Sequence, residues 1–270
     1  MKIFVAIWLV LLLATAVACQ PEPAPPPKIP TLDPPITLRI GLTDSAYPIP
    51  ALVTNPFSEY NDQIKLQFIP GNDAALLADL QHGQLDAVLI HHLPFEHGYW
   101  FNPVALDGLV LFVHPDNPVT DLALASAQAV FDGEINNWSQ LGGVNESIYL
   151  ISREAGSGAR EIFMQRVLAP ARLDINAQIV AGETAVQQTI VANPLAVGYG
   201  MAGGQGAAKP LTLAGIAAAP TELANQHYPL SVPLYFVSSS EPQDELRIFL
   251  GWLQSDMGQA VLGQRYGRVR

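Results

Sequence analysis

The residues best equipped for chemistry lie together in Ile151-Ser-Arg-Glu-Ala-Gly-Ser-Gly-Ala-Arg160. A β-prone run, Ile148 to Ile151, leads in, and a helix-forming run, Glu161 to Met164, leads out. A strand, a tight glycine turn and a helix start present free backbone N–H groups and the positive end of a helix dipole. Ser157 adds a hydroxyl and Arg153 a guanidinium, and all four features favour an anion. Arg160 falls in or near the first helical turn, where a cation opposes the dipole, so it needs a partner such as Glu154 or a bound anion. The same residues also fit an ordinary serine-capped helix with a surface arginine, because glycine-rich strand-to-helix turns are common in α/β proteins.

Two other groups invite a chemical reading. His91, His92, Glu96 and His97 have metal-ligand side chains, but their spacing matches no closed zinc site. Adjacent histidines at a strand end point to opposite faces, so at most one of the pair shares a centre with His97. Polar loop residues at the mouth of a cleft, with no metal, are expected. Gly156-Ser157-Gly158 lacks the G-x-S-x-G spacing of a hydrolase elbow, and no base or third triad member accompanies it. Neither an enzyme nor a cofactor is expected. Trp138 and Tyr199 read as packing aromatics.

The elements that must position these residues follow from the hydrophobic pattern. Thr37 to Leu42 predicts a first strand, ending in Thr43-Asp44-Ser45-Ala46; Ile64 to Ile69 predicts a second. Pro70-Gly-Asn-Asp73 then leads into a helix over Ala74 to His82, with Asn72 or Asp73 as N-cap. Gly83 ends that helix, and Leu85 to Ile90 gives a third strand running into His91-His92. Strand, helix, strand, helix, strand implies a parallel, doubly wound sheet. Ligands of such sheets bind beyond the carboxyl ends of the strands, where Thr43 to Ala46, Asp73 and His91 fall. Val104 to Val113 reads as a long β run interrupted at Asp107-Gly108, after which the alternation restarts with helical Leu122 to Phe131 and strand Ile148 to Ile151. Glu183 to Ala192 reads as a helix, Ala196 to Gly200 as a strand, and Tyr228 to Val237 as a returning strand that Pro229 and Pro233 confine to an edge or crossing position. Helices over Gln243 to Leu253 and Met257 to Gln264 close the chain.

The composition limits the partners. With a net charge of −11 and only 13 Lys and Arg in 270 residues, the chain has no basic stripe with which to neutralise a nucleic acid. Any anion site must be a closed pocket, because the overall field opposes an anion. Met1 to Ala18 reads as a signal, with one lysine, an apolar run from Ile3 to Val17 and small residues before Cys19. That run is shorter than the ~20 residues of a spanning helix. Ala16-Val17-Ala18-Cys19 resembles a bacterial lipobox, with Ala16 where leucine is most common. Lipidation of Cys19 is expected, with ordinary cleavage or a retained anchor as the alternatives. Cys19 is the only cysteine, so the fold has no internal disulfide. Gln20 to Pro35 holds eight prolines in sixteen positions. This is a tether reaching about 50 Å at ~3.1 Å per residue.

Several segments resemble the phosphate-binding proteins of bacterial ABC importers, within the wider family of type 2 periplasmic binding domains. They are Val104 to Val110 with Asn117-Pro118, Ile135-Asn-Asn-Trp-Ser-Gln-Leu-Gly-Gly143, Ser152 to Arg160, Asn193-Pro-Leu-Ala-Val-Gly-Tyr199, Tyr228-Pro-Leu-Ser-Val-Pro-Leu-Tyr235 and Trp252 to Ala260 with Tyr266-Gly267. They occur in the family's order. The resemblance implies two α/β lobes, each a doubly wound, mostly parallel sheet flanked by helices, joined by two crossing strands near residues 105–113 and 229–237. Residues 36–107 and 229–270 would form the first lobe and 108–228 the second, after a leader (1–18) and a lipidated tether (19–35). It also implies a phosphate site made of helix starts and short hydroxyl side chains. Arg153, Ser157 and Gly158 match the second-lobe motif. Ala159 stands where threonine is usual, leaving its backbone N–H. In the first lobe, Thr43-Asp44-Ser45-Ala46 replaces a run of glycine, serine and threonine. Asp73 falls near a usual serine, and His91 near the aspartate that accepts the proton of hydrogen phosphate. Asp44 or Asp73 could have assumed that acceptor role; the simpler roles are N-capping for Asp73 and a self-satisfied turn for Asp44. The expectation is a monomeric, lipid-anchored, extracytoplasmic protein that hands phosphate or a related small oxyanion to an ABC permease. The alternative is a binding module of the same fold for another ligand, acting as a sensor or adhesion domain.

Overall fold

The computed structural model describes residues 34–95, 98–204 and 206–269. The leader, Cys19 and most of the proline tether lie outside these residues, as do Glu96 and His97. Among the described residues no helix is long and apolar enough to cross a membrane, and no group of three or more His, Cys, Asp or Glu could hold a metal.

In chain order the elements are β1 (Ile36–Thr43), α1 (Ile49–Tyr60), β2 (Ile64–Gly71), α2 (Asp73–Gln81), β3 (Ala87–Ile90), β4 (Trp100–Val113), β5 (Asp121–Leu122) and α3 (Leu124–Phe131). There follow β6 (Tyr149–Arg153), α4 (Gly158–Phe163), β7 (Gln178–Val180), α5 (Glu183–Ala192), β8 (Ala196–Met201), β9 (Lys209–Pro210) and β10 (Thr212–Leu213). The chain ends with α6 (Pro220–Ala224), β11 (Ser231–Ser238), α7 (Asp244–Gln254) and α8 (Asp256–Leu262). The main strand order is β2-β1-β3-β11-β4-β8-β6-β7, with β9 added to β4. Within it β2, β1 and β3 are parallel, as are β8, β6 and β7. The antiparallel pair β4 and β11 joins the two sets.

The joining pair departs from the sequence expectation in one instructive way. β4 is not interrupted at Asp107-Gly108; it runs through and changes partners there. Trp100 to Gly108 pairs with β11 and Leu109 to Val113 with β8, so one strand carries the chain from one lobe to the other. The polar dipeptide is tolerated because its groups are used. Asp107 Oδ1 accepts from the N–H of Gly108 and of Gly203, at 2.7 and 2.9 Å, and a Cβ on Gly108 would lie 2.9 Å from Leu223 Cδ2. Of the edge and crossing positions expected for it, β11 takes the crossing one: it pairs with both β3 and β4. Pro233 is accommodated because β3 pairs only with Tyr235 to Val237, leaving Pro233 opposite Leu106 of β4 alone.

Two main cores flank this junction. One gathers β1, β3, α1 and the closing helices, with Phe57 centred 5.0 Å from Phe249 and 5.4 Å from Trp252 in edge-on contacts. The other gathers β4, β6, β8, α3, α4 and α5 around Phe131, Phe163 and Tyr199, where the Phe163 and Tyr199 rings stack. The strands β3 and the second half of β4 are buried along their whole length, as continuous apolar runs covered on both faces must be.

Candidate ligand-binding site

The carboxyl ends of β1, β3 and β6 and the starts of α2, α4 and α5 converge where the lobes meet. Arg153, the last residue of β6, is completely buried, and every N–H of its guanidinium has a partner. Nη2 donates to both oxygens of Asp44, at 2.7 and 3.1 Å, and to Glu154 Oε1 at 3.1 Å. Nε donates to Glu154 Oε2 at 2.9 Å, and Nη1 to Glu183 Oε2 at 3.1 Å and Ser45 Oγ at 3.4 Å. One cation thus serves three carboxyl groups. Burial opposes its charge, but the hydrogen bond from Glu154 and the fields of Asp44 and Glu183 outweigh it and raise the arginine's pKa. Glu183 is pushed up to about 8 by burial, with Arg153 pulling it back only in part. For Glu154 burial also pushes upward, but the hydrogen bond and charge of Arg153 prevail and hold it below its ordinary value.

Asp44 does more than satisfy its own turn. Its Oδ2 also accepts from the N–H of Glu183 at 2.8 Å, the first residue of α5, a helix whose N-cap, Gly182, has no side chain to offer. A first-lobe carboxylate therefore acts as the cap of a second-lobe helix and binds Arg153 Nη2 through both oxygens, while Glu154 forms the two-nitrogen bidentate pair with the guanidinium.

Asp73 makes the second junction. The N-cap of α2 is Asn72, whose side chain accepts from Ala75 N–H at 3.0 Å, so Asp73 is free of that role. Its carboxyl is buried. Oδ1 accepts from Thr43 Oγ1 at 2.6 Å and Oδ2 from His92 N–H at 3.2 Å. Opposite stands Gly158, where a Cβ would lie 2.0 Å from Asp73 Oδ2. Nearby, Ala74 N–H donates across to the carbonyl of Gly156, a residue whose φ of 84° makes the tight turn. Burial raises the pKa of Asp73, against the hydrogen bond of Thr43 and the field of His91.

The structure thus brings Thr43, Asp44, Ser45, Asp73, Arg153 and Gly158 to one place. Ser157 caps α4 by accepting from Arg160 N–H at 3.4 Å. Arg160 is satisfied by the carbonyl of Arg153 rather than by Glu154. His91 turns to Asp107, with Nε2 3.0 Å from Oδ2 and both side chains buried. Ala46 packs into the first-lobe core and Ala159 into the second. Sequence reasoning missed Glu183 and Glu154 as site residues, and Asp107 as the anchor of His91. An acidic residue opening a helix just after a glycine was the one available signal for Glu183. A cavity of about 500 Å³ adjoins the cluster, with Asp44, Tyr47, Glu183, Gln187, Val191 and Ala192 among its walls. The arrangement holds charged groups in fixed pairs between two lobes, which is the equipment of a binding cleft.

A family model described as the PBP superfamily domain matches residues 29–257. Among curated proteins, the phosphate-binding protein PstS of Bacillus subtilis is 33% identical over 96 residues, 36% of this chain and 32% of that protein. PstS of Pseudomonas aeruginosa is 28% identical over 195 residues, 62% of this chain and 60% of that protein. The matches therefore span about a third and three-fifths of these relatives' lengths. A phosphate-bound crystal structure from Clostridium perfringens, of a protein assigned as a phosphate ABC transporter substrate-binding protein, superposes with a TM-score of 0.81 at 25% identity, covering 87% of this chain and all of that one. The two-lobed sheet architecture, the crossing strands and the family match agree: the chain belongs to the PBP superfamily, with the type 2 fold of the phosphate-binding proteins.

Proposed function

We propose that this protein is an extracytoplasmic solute-binding protein that captures phosphate or a related small oxyanion between its lobes and delivers it to an ABC permease. It would be lipidated at Cys19, held near a bacterial membrane by the proline tether, and act as a monomer without catalysing a reaction. The observation that carries the proposal is Arg153 at the end of β6, followed by the Gly156-Ser157-Gly158 turn, facing Thr43 and Asp73 of the other lobe. Phosphate reaches Arg153 by taking the place of the Asp44 carboxylate on Nη2, an exchange of one anion for another. The guanidinium keeps its bidentate pair with Glu154, and Asp44, whose side chain is already a quarter exposed, swings to water. The first-turn amides of Gly158 and Ala159 supply further donors.

The test is calorimetric titration of phosphate, with sulfate as comparison, into the wild type and Arg153→Lys. Lysine keeps the buried charge but cannot form the planar fork. Loss of roughly tenfold or more in phosphate affinity is expected, the scale of one charge-assisted hydrogen bond. Equal affinity in the two proteins, or no oxyanion binding by the wild type, would sink the proposal.

A further inference from the structure

We infer that Asp73 is a built-in competitor for the oxyanion, a specificity-setting residue whose carboxylate occupies the ligand's slot between Thr43, the start of α2 and Gly158. This rests on the reading that an oxyanion binds between the lobes.

Three observations carry it. First, the carboxylate has taken the first-lobe donors that a ligand would use: the Thr43 hydroxyl at 2.6 Å and the His92 N–H at 3.2 Å. Second, it fills the space up to the other lobe. A methyl group on Gly158 would stand 2.0 Å from Oδ2, so an oxyanion cannot lie beside Asp73 and must displace it. Third, the fold does not need this carboxyl locally, because Asn72 already caps α2. No side-chain cation donates to it among the described residues; its hydrogen bonds come from a hydroxyl and an amide. A buried carboxylate without a direct cationic partner is expensive to maintain, yet here it is well placed to stand in for two oxygens of a tetrahedral anion. It follows that phosphate binds in proportion to how readily this side chain leaves Thr43 and the His92 N–H.

The experiment compares wild type, Asp73→Ser and Asp73→Asn by calorimetry, with thermal melts to show that each variant folds. Calorimetry with inorganic phosphate is expected to show Asp73→Ser binding about tenfold or more tightly than wild type, since Thr43, the His92 N–H and the space are all returned to the ligand. Asp73→Asn, which removes the charge but not the bulk, should fall between them. If Asp73→Ser melts cooperatively but binds phosphate no more tightly than a wild type that binds it, this inference is overturned and the proposed function stands. If none of the three proteins binds phosphate, the proposed function fails and this inference with it.

Discussion

Replacing Arg153 by methionine keeps most of the side-chain volume and removes the cation that binds three carboxyl groups. The side chain is fully buried and holds Asp44, Glu154 and Glu183 at 2.7, 2.9 and 3.1 Å. Breaking a buried ion pair by removing one partner costs about 3–5 kcal/mol, because the remaining charge is left uncompensated. The cost divides unequally here. Asp44 and Glu154 retain side-chain exposures of 25% and 21% and can turn to water, whereas Glu183, at 4%, cannot. Glu183 titrates near pH 8 with Arg153 present, and its pKa moves higher still once the attracting charge is gone. Below that pH the wild-type Glu183 carries a proton and loses little when Arg153 is removed. Above it, the wild type gains from the ionised pair and the variant does not. The deficit of Arg153→Met should therefore be near the lower figure, about 3 kcal/mol, at pH 6 and grow by at most about 1.4 kcal/mol at pH 9, one pH unit above the Glu183 titration. Urea denaturation at the two pH values, with the slope checked for constancy, measures it. A deficit under about 1 kcal/mol, or one equal at both pH values, would refute the charge-based account and leave Arg153 a packing residue.

Two further outcomes follow from the same contacts. Because burial lifts Glu183 from the usual 4.5 to about 8, the folded protein holds this proton more tightly than the unfolded chain. Its contribution to stability is complete below pH 4.5, declines as pH rises towards 8 and is flat beyond. Glu183→Gln should remove that slope from urea midpoints measured across the window, and an unchanged slope would assign the titration elsewhere. Gly158→Ala should destabilise by about 1–3 kcal/mol through overpacking against Asp73. Thermal melts of Gly158→Ala, Asp73→Ser and the double variant should show the pair costing less than the sum of the singles. Additive costs would mean that the two do not meet.

Local punctuation made much of the fold readable. The bounds of α5 are those expected from Glu183 to Ala192, because Gly182 at a φ of 86° and Asn193 in extended conformation mark its ends. The sequence left Asn72 and Asp73 as rival caps, and one hydrogen bond to Ala75 decides between them. What stayed hidden was tertiary. Asp107-Gly108 reads as a break in a strand when seen along the chain. Only the change of neighbour from β11 to β8, and the buried His91 on one side and Gly203 on the other, explain why a carboxylate belongs there. Arg153 was legible as a site residue from its turn, but not its partners: Asp44 and Glu183 lie 109 and 30 residues away. No spacing rule spans such separations, and periodicity says nothing of which carboxylate closes on which cation.

The same partners resolve the conflict that the proposed oxyanion cleft raises on a chain of net charge −11. An isolated buried arginine would be costly to hold without an anion, and an acidic protein would repel the anion that reached it. Asp44 sits on the Arg153 and Glu183 donors of the second lobe, and Asp73 on the Thr43 and His92 donors of the first with Gly158 opposite, before any ligand arrives. A ligand then enters by exchange. Its charge is accommodated because a carboxylate withdraws as it arrives, and the field it meets at Arg153 is the one that carboxylate already experienced. Affinity in such a cleft is a difference between two anions bound to the same donors, so selectivity rests on what the ligand offers beyond a carboxylate. A tetrahedral oxyanion has a third and fourth oxygen for the Gly158 and Ala159 amides; a planar carboxylate has only two. Small carboxylates should accordingly fail to displace Asp44 and Asp73 even at concentrations where phosphate succeeds, and equal competition by acetate in a phosphate titration would remove the basis for oxyanion selectivity.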